Sequence, residues 1–464
     1  MVQGQLNLKP ARAGRAKVPA WHGFARGMRE NGLTAFPPEA YEEDVVVRRF
    51  FGRQVIVMSR PAGIQHILVD NPANYRRTPA SIRMLRPLLG NGVLLSEGED
   101  WRQQRRTLAP AFAPRTLAIL ARHMARAAAT AVTDLKASCE ASIDLLAQMQ
   151  FLALEIAGTS MFSLEMERYG AELRHLITSF TTNFGRPRLL DFVLPIAVPS
   201  PHDLPRRRFR RRWLDLIGRM IAARRQQGSA GAPCDLFDLM PNAQDPESGD
   251  IFPPDRLADE VATMIAAGHE TTGLALFWSL YLLAGALDIQ ERVAAELGAL
   301  DLSADNAAEA LPQLVYTRAV VHEAMRLYPP VYTLARLAIA ADNAGGISVS
   351  PGAMVLIAPW VLHRHRRLWP QPETFDPDRF LPGKPLPDRF AYLPFGGGPR
   401  VCIGAQFVLT EAALALATMI QAFHIERADD APVIPWAVIT TQPDHSPRFW
   451  LRPRTGHEIG TALG

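Results

Sequence analysis

The stretch Phe395-Gly396-Gly397-Gly398-Pro399-Arg400-Val401-Cys402-Ile403-Gly404 sets one cysteine between a glycine-rich loop and a predicted helix, Ala405 to about Ala422. The first turn of a helix offers unpaired backbone N–H groups and the positive end of the helix dipole. Glycines, which have no Cβ, also let loop amides approach the sulfur closely. These forces predict a pKa for Cys402 below the value of about 8.5 of a free cysteine. Such a cysteine suits either a nucleophile or a metal ligand.

The spacing within this stretch is more specific than its composition. Glycine, arginine, cysteine and glycine follow Phe395 at distances of three, five, seven and nine residues. This pattern resembles the haem-binding loop of the cytochrome P-450 superfamily. The resemblance implies that Cys402 is the thiolate ligand of the iron in haem b, with Phe395 and Gly404 as parts of the cofactor-binding loop. Thiolate ligation favours cleavage of the O–O bond.

Length and composition allow a large folded protein. The 464 residues are 48% hydrophobic, and no low-complexity linker or internal repeat divides them. The resemblance runs from about Val45 to the last strands, so we expect one domain over 41–464 after a largely irregular extension over 1–40. It implies a mainly α fold with small β-sheets, the triangular P-450 fold with a long central helix over the haem.

Charge, cysteines and the N-terminus narrow the compartment and the partners. The three cysteines are widely spaced and odd in number, which favours a reducing compartment. Residues 1–20 contain four basic residues and no apolar stretch, so neither a signal peptide nor a membrane anchor is predicted. The net charge is +4, without a recognisable nucleic-acid-binding fold. We therefore expect a soluble, cytoplasmic protein that binds no nucleic acid. We also expect a monomer, and within the superfamily the chain resembles bacterial members.

Hydrophobic periodicity predicts helices through most of the chain and strands towards both ends. Residues 186–205 interrupt the helical pattern with five prolines among apolar residues, and the arginine-rich run 206–212 follows them. We interpret that run as a solvated helix start. The main predicted elements are a hairpin over 44–58, helices over 117–135, 145–180, 255–284 and 307–327, and strands over 346–349 and 354–357 flanking a turn at 350–352.

The stretch Ala266-Ala267-Gly268-His269-Glu270-Thr271-Thr272 puts an acid and alcohols inside a long apolar helix. Threonine can bond back to the carbonyl four residues earlier, and Gly268 weakens the helix by about 1 kcal/mol relative to alanine. The pattern is compatible with a tolerated kink, but it also resembles the P-450 oxygen-activation motif. By that resemblance Gly268 leaves room for dioxygen, Thr271 holds the dioxygen or a water, and Glu270 connects protons to solvent. His269 is expected to be a structural or surface residue.

The stretch Glu323-Ala324-Met325-Arg326 places opposite charges three residues apart on a predicted helix, which is usually a surface pair. Because Leu327-Tyr328-Pro329-Pro330 follows at once, it resembles the superfamily's Glu-x-x-Arg motif. The resemblance adds Arg379, from Phe375-Asp376-Pro377-Asp378-Arg379-Phe380, to a buried structural group.

The two propionates of haem need cationic or polar partners, and arginine pairs bidentately with carboxylates. The resemblance implies Trp101, Arg105, Arg400 and Arg336 for this role, with His363 as a weaker candidate. Electrons from NAD(P)H would arrive through a separate ferredoxin reductase and ferredoxin. A basic face for an acidic ferredoxin is expected from Arg102, Arg105, Arg106 and Arg400.

The expected substrate is a hydrophobic small molecule such as a fatty acid or terpenoid, because the matching pocket positions are mainly apolar. Arg83 or Arg86 is a candidate for holding a carboxylate, although a solvent-facing role is the simpler interpretation. The resemblance implies hydroxylation or epoxidation with dioxygen. A peroxide-driven peroxygenase, a redox-neutral isomerase and a non-catalytic haem sensor or carrier remain alternatives. The predicted pocket residues are Met84, Leu88, Phe180, Phe184, Met264, Ala267, Val331, Leu334 and Thr440.

Overall fold

Helices form most of the framework. The computed structural model of the protein describes residues 27, 30–50, 52–137, 141–163, 168–227, 235–239, 247, 249, 253–298, 300–385 and 387–454. The predicted mainly α fold with small sheets is confirmed. In chain order the helices are α1 (Pro61–Gln65), α2 (Pro79–Leu89), α3 (Gly98–Leu108), α4 (Pro114–Ala137), α5 (Leu145–Phe162), α6 (Gly170–Asn183), α7 (Leu189–Val193), α8 (Asp203–Gln227), α9 (Leu236–Leu239), α10 (Pro254–Ala284), α11 (Leu287–Leu297), α12 (Ala307–Ala310), α13 (Val315–Leu327), α14 (Pro359–Leu362) and α15 (Ala405–Ala422).

The strands form small sheets. They are β1 (Val45–Phe50), β2 (Arg53–Met58), β3 (Tyr75–Arg77), β4 (Ile143–Asp144), β5 (Leu334–Ala338), β6 (Asp342–Ala344), β7 (Ile347–Val349), β8 (Met354–Ile357), β9 (Phe423–Arg427), β10 (Pro435–Ala437), β11 (Thr441–Pro443) and β12 (Arg448–Pro453). A five-stranded sheet has the order β1-β2-β8-β5-β3, in which β2 and β8 run parallel and the other neighbours antiparallel. The hairpin predicted over 44–58 is present as β1 and β2.

The two strands on either side of the turn at 350–352 do not pair with each other. Strand β7 pairs with β6, whereas β8 lies between β2 and β5. A turn signal in the sequence shows that the chain reverses, but the partner of each strand depends on which distant strand offers a matching register.

The core lies around α10, which packs against α5, α13 and α15. Among the described residues, α5 and α15 are long and apolar enough to cross a membrane, and α10 with α11 passes the same test only as a bent pair. Most of α5 and α15 is buried inside the protein, 67% and 72% respectively. A helix that is apolar on all sides suits a protein core as well as a bilayer, and here packing accounts for it.

The residues just before β1 pack onto the domain. The Asn31 side chain donates to the Pro435 carbonyl oxygen at 3.1 Å and accepts from the Ala437 N–H at 3.0 Å. Leu33 and Phe36 are buried in the main apolar cluster. The core therefore includes side chains from the predicted extension. The boundary at residue 41 stays a prediction, because residues 1–26, 28 and 29 lie outside the described residues.

Candidate active site

The loop that carries Cys402 is held by its own backbone and by glycines. The Cys402 N–H donates to the Phe395 carbonyl oxygen at 2.9 Å, which closes the loop across the glycine run. Gly396 and Gly398 have φ angles of +72° and +69°, which side chains rarely adopt. A Cβ on Gly398 would also overlap the Leu68 carbonyl oxygen. Glycine is thus required for the turn that brings Cys402 to the start of α15.

Part of the surface of Cys402 is accessible to solvent. Even so, many protein atoms surround its sulfur, and this burial raises the pKa of the thiol. A backbone hydrogen bond at Gly404 and the guanidinium of Arg105 act in the opposite direction without outweighing burial. The prediction of a lowered pKa was therefore wrong, because the sequence reveals the helix terminus but not the desolvation of the sulfur. A bound metal cation reverses this balance, since a coordinated thiol is deprotonated outright. The loop thus fits a metal ligand better than a free nucleophile.

One face of α10 is accessible in the middle of an otherwise buried helix. Ala267 is exposed, and Gly268 and Thr271 are half-buried. The Thr271 hydroxyl donates to the Ala267 carbonyl oxygen at 2.6 Å, so its oxygen remains available as an acceptor. A Cβ at Gly268 would meet only the Met161 methyl group, at 3.5 Å, an ordinary contact. This face has room for a small molecule beside the Thr271 hydroxyl.

Glu270 is buried against the chain between β10 and β11. Thr440 Oγ1 donates to Glu270 Oε1 at 2.7 Å, and Gln442 Nε2 donates to the same oxygen. Burial raises the pKa of Glu270, and both hydrogen bonds act in the opposite direction. Gln442 is half-buried, so it extends the polar contact towards solvent.

The contact between α10 and β11 was not visible in the sequence. Thr440 was predicted to lie in the substrate pocket, whereas its hydroxyl is directed at Glu270. Gln442 was missed altogether, because no local signal joins residues 172 positions apart.

His269 lies on the side of α10 that faces α5. Burial, together with the positive charge of Arg174, lowers its pKa to about 4, so the ring is neutral near pH 7. One turn further along, a Cβ on Gly273 would lie 2.9 Å from Gln150 Cα, which shows how closely the two helices approach. The position agrees with the structural role expected for His269.

Three arginines converge on one glutamate beside the Cys402 loop. Arg400 donates to Glu97 Oε2 at 2.6 Å and to the Ser96 carbonyl oxygen at 3.0 Å. Arg77 Nε lies 4.0 Å from Glu97 Oε1. Arg336 stands directly opposite Arg77 in the register of β3 and β5. The cluster of Arg77, Arg336, Arg400 and Glu97 is called the arginine cluster below.

The arginine cluster has an excess of two positive charges, since three guanidinium groups face one carboxylate. Like charges directly across antiparallel strands are unfavourable. Burial lowers the pKa of Arg77 to about 9 and that of Arg336 to about 10, and neighbouring arginines add to both effects. Arg77 Nε is buried without a hydrogen-bond partner among the described residues. This donor set fits a group with two carboxylates, as haem has.

Sequence reasoning named Arg336 and Arg400 but missed Arg77. The pairing of β3 with β5 brings Arg77 into the cluster, and nothing in its local sequence distinguishes it from the other arginines of the chain.

Trp101 and Arg105, one turn apart on α3, contact two different parts of the site. The Arg400 guanidinium lies over the Trp101 ring at 4.4 Å from its centroid. Arg105 interacts electrostatically with Cys402, and burial lowers its pKa. Helix α3 therefore links the arginine cluster to the sulfur.

His363 does not join the arginine cluster, contrary to its proposed role as a propionate ligand. It is fully buried, its Nε2 accepts from the Leu393 N–H at 2.8 Å, and its Nδ1 lies 3.2 Å from the Arg326 carbonyl oxygen. Burial lowers its pKa to about 3. Because backbone groups occupy both ring nitrogens, none is left for a carboxylate. His363 instead ties the end of α13 to the chain before the Cys402 loop.

Glu323 and Arg326 form a bidentate pair in which neither side chain is exposed. Arg326 Nε and Nη2 each donate to a carboxylate oxygen at 2.7 Å. The Asp376 N–H also donates to Glu323 at 2.9 Å, and Arg379 Nε lies 3.5 Å from it. Burial raises the pKa of Glu323, while Arg326 acts in the opposite direction.

Arg326 also reaches the irregular chain that leads to the Cys402 loop. Its remaining donors bond the carbonyl oxygens of His363, Pro372 and Thr374 at 2.6–2.9 Å. The structure thus brings Glu323, Arg326 and Arg379 together as one clamp between α13 and that chain.

The predicted pocket residues divide between accessible and buried positions. Phe180 is fully buried between α6 and α8, where its ring centroid lies 5.3 Å from that of Phe209. It therefore packs helices together. The accessible or half-buried members are Met84, Phe184, Ala267, Val331 and Leu334, and the buried ones are Leu88, Phe180, Met264 and Thr440.

The chain is similar to known proteins in sequence and in structure. A sequence model of the family Cytochrome P450 matches residues 39–445. Cyclooctatin synthase of Streptomyces melanosporofaciens is 34% identical over 81% of this chain and 82% of its own. The cyclooctat-9-en-7-ol 5-monooxygenase of the same organism is 32% identical over 72% of each chain. The crystal structure of the cytochrome P450DA heme domain superposes with a TM-score of 0.76 and 25% identity, covering 89% of this chain and 90% of that one.

Proposed function

Because this chain belongs to the cytochrome P450 family, we propose that Cys402 and the arginine cluster hold haem b for oxidation of a terpenoid-like substrate. Members of this family are haem-dependent monooxygenases that use dioxygen and reducing equivalents, and this chain is an oxidoreductase of that kind acting on a hydrophobic small molecule. The observation that carries the proposal is the excess of two positive charges in the arginine cluster, beside the loop that presents Cys402.

The haem-binding residues act at two places. Arg77, Arg336 and Arg400 bind the propionates, and Trp101 supports Arg400 through the stacking contact at 4.4 Å. At the other place, Cys402 is the iron ligand, and Arg105 and the backbone at Gly404 stabilise negative charge on its sulfur. When bound there, haem supplies the activation of dioxygen.

Protons are managed on α10. Thr271 presents its hydroxyl oxygen as an acceptor on the accessible face, because its proton is committed to the Ala267 carbonyl. Glu270 holds a proton more readily than an exposed glutamate, since burial raises its pKa. Gln442 joins that carboxyl to the half-buried surface of β11. Glu270 is therefore placed to take protons from solvent for delivery near Thr271.

The substrate class is proposed from the lining and from the relatives. The accessible predicted positions are apolar: Met84, Phe184, Ala267, Val331 and Leu334. Arg83, a candidate for a substrate carboxylate, is buried and donates to the carbonyl oxygens of Pro195 and Val198. Arg83 is therefore engaged with the backbone. The apolar lining suits a hydrophobic, terpenoid-like substrate, and one relative is named for the oxidation of cyclooctat-9-en-7-ol.

Electrons are proposed to come from NAD(P)H through a ferredoxin reductase and a ferredoxin. The sulfur side of the site carries Arg102 and Arg106 on α3, which would attract an acidic partner. Both arginines also contact Glu99, and Arg400 is engaged with Glu97. The basic face is therefore smaller than the sequence suggested. A cytoplasmic, monomeric protein remains our proposal for the working form.

The test is the absorption spectrum of the purified protein after reduction with dithionite and exposure to carbon monoxide. We expect a strongly red-shifted Soret band that is lost in Cys402→His. A band typical of histidine-ligated haem in the natural protein would contradict the assignment of Cys402. Product formation that needs NAD(P)H and both redox proteins would separate a monooxygenase from a peroxygenase, which would turn over with peroxide alone.

A further inference from the structure

A groove with a volume of about 620 Å³ lies on the outer side of α6 and α8. Three of the residues that line it are exposed arginines of α8, namely Arg208, Arg211 and Arg212. On the buried side of the same two helices, the ring centroids of Phe180 and Phe209 are 5.3 Å apart. The groove therefore faces solvent, and none of its lining residues belongs to the predicted substrate pocket. It is called the outer groove below.

The three arginines of the outer groove have no acidic partner among the residues that the structure describes. Arg208 precedes Arg211 by three residues and Arg212 by four, so their side chains leave neighbouring positions on one face of α8. Like charges at these spacings destabilise a helix. An anion bound between the guanidinium groups would turn this repulsion into attraction.

The two carboxylates of the outer groove are already paired with another arginine. Arg219 Nη2 donates to both carboxylate oxygens of Glu172 at 2.8 Å, and Arg219 Nε lies 3.3 Å from Asp215 Oδ2. These contacts join α6 to α8 at the end of the groove that is nearer to the C-terminus of α8. With Arg219 included, four arginines face two carboxylates, which leaves a net charge of +2.

The size and the lining of the outer groove suit a small polyanion. Its volume lies in the range of small-molecule sites, and Leu176 is the one apolar residue among the described residues that line it. Arginine pairs bidentately with phosphate. A nucleic acid strand that followed the groove would bring further phosphates against Glu172 and Asp215. A short phosphate chain can instead remain beside the unpaired arginines.

We propose that the outer groove binds a small molecule that carries a chain of two or three phosphates. Arg208, Arg211 and Arg212 pair with the phosphate oxygens, and His175 of α6 is a hydrogen-bond donor on the opposite wall. Such a ligand adds contacts between α6 and α8 and therefore stabilises the folded protein. Inorganic diphosphate and nucleoside diphosphates both present this chemistry. The proposal goes beyond the proposed oxidation and does not depend on it.

The test is isothermal titration calorimetry of the purified haem-loaded protein in magnesium-free buffer at fixed ionic strength. We expect one inorganic diphosphate per chain, bound at least about tenfold more tightly than orthophosphate, because it can engage more of the arginines. Tighter binding of ADP would assign a nucleotide as the source of the phosphates, whereas equal binding would show that the phosphate chain alone is recognised. Absence of heat from both diphosphates at millimolar concentration would overturn the proposal.

Two variants with the same change of charge separate a specific groove from general attraction to a basic helix. Arg208→Gln should weaken diphosphate binding about tenfold, because it removes a charged hydrogen-bond donor from the groove. The matched control is Arg207→Gln, at an exposed neighbouring residue that does not line the groove. It should change the affinity less than about twofold. Equal weakening in the two variants would overturn the outer groove as a site.

The titration is independent of turnover. Both altered side chains are exposed and lie outside the haem-binding residues, so each variant should keep its carbon monoxide spectrum. A protein that loads haem but binds no diphosphate would contradict the outer groove alone. A protein without thiolate-ligated haem would contradict the proposed function, and the comparison of Arg208→Gln with Arg207→Gln would still decide whether diphosphate binds in the groove.

Discussion

At the scale of single residues, the site depends on side chains whose surroundings oppose their usual ionisation. Burial raises the pKa of Cys402 and of Glu270, and it lowers the pKa of Arg77 and Arg336. Groups with perturbed pKa values are concentrated at sites where a charged ligand binds or a reaction takes place. Relative to water, the protein by itself disfavours the charged forms of the Cys402 thiol and of the Arg77 and Arg336 guanidinium groups.

The Thr271 hydroxyl is expected to couple electron use to product formation. In Thr271→Ala, the accessible face of α10 loses its one hydroxyl acceptor, and a hydrogen bond of about 1 kcal/mol corresponds to roughly fivefold. We expect about that much more hydrogen peroxide per NAD(P)H oxidised, measured in parallel with product. Thr271→Ser, which keeps the hydroxyl, is the control. Equal peroxide yields in the natural protein and the alanine variant would contradict this role.

At the scale of elements, α10 holds the chain that follows α2 through two adjacent carboxylates. Asp259 accepts from the Asn91 N–H at 2.8 Å, and Glu260 accepts from the Val93 N–H at 3.0 Å. Burial raises the pKa of Glu260 to about 8, although the Val93 hydrogen bond acts in the opposite direction. Glu260 is therefore protonated in the folded protein near neutral pH.

This raised pKa makes stability depend on pH. The folded protein binds the Glu260 proton more tightly than the unfolded chain does. The resulting contribution to the free energy of unfolding is therefore full below the usual pKa of glutamate, and it is lost as the pH rises towards about 8. The linked free energy is at most roughly 5 kcal/mol. We expect Glu260→Gln to unfold at a higher temperature than the natural protein above pH 8 and to flatten its dependence on pH.

Thermal unfolding of both proteins between pH 5 and about 9 is the measurement that checks this sign. Glu43→Gln, at an exposed position, is the control and should leave the profile unchanged. A profile of Glu260→Gln that runs parallel to that of the natural protein would refute the assignment.

The clamp of Glu323, Arg326 and Arg379 connects α13 with the irregular chain that leads to the Cys402 loop. Removing one member leaves a buried charge without its partner, which costs roughly 3–5 kcal/mol. We expect Glu323→Gln and Arg326→Ala to lose the haem Soret band, measured as the ratio of haem to protein absorbance after purification.

The control is an exposed pair that attaches to the same chain. Arg292 and Asp378 lie 2.7 Å apart, 49% and 43% exposed, and exposed pairs contribute less than about 1 kcal/mol. Arg292→Ala should therefore retain its haem. Normal haem content in a soluble Glu323→Gln protein would show that the clamp is dispensable.

At the scale of the whole molecule, positive charge is divided between two surfaces. Residues 186–212 carry a net charge of +6. On the sulfur side, Arg102 and Arg106 share Glu99 as a partner. The sulfur side is the surface on which we propose that an acidic redox protein docks.

Docking of an acidic ferredoxin on the sulfur side should depend on salt. We expect the rate of haem reduction by ferredoxin to fall as ionic strength rises, and Arg102→Glu, at a residue whose side chain is 57% exposed, to lower it about threefold to tenfold at low salt. Stopped-flow reduction under carbon monoxide measures this rate. Arg366→Glu, at a residue 67% exposed in an unrelated part of the surface, should change it little. A rate independent of ionic strength would contradict electrostatic docking.

The amino-acid sequence was sufficient to predict the family, the mainly helical fold and the local geometry of three motifs. Residues 395–404, 266–272 and 323–326 are short stretches in which spacing along the chain sets the local geometry. A loop closed by glycines, one face of a helix and an ion pair between i and i+3 need no knowledge of distant neighbours. These features were therefore predictable from the order of residues alone.

Long-range packing determines which distant groups complete those motifs. Arg77 enters the arginine cluster only through the register of β3 and β5, and Gln442 meets Glu270 across 172 positions. His363 was wrongly assigned to the haem propionates, and the pKa of Cys402 was predicted in the wrong direction, because both depend on contacts with distant parts of the chain. Desolvation and hydrogen bonding depend on every atom packed around a group, and most of those atoms come from elements remote in sequence.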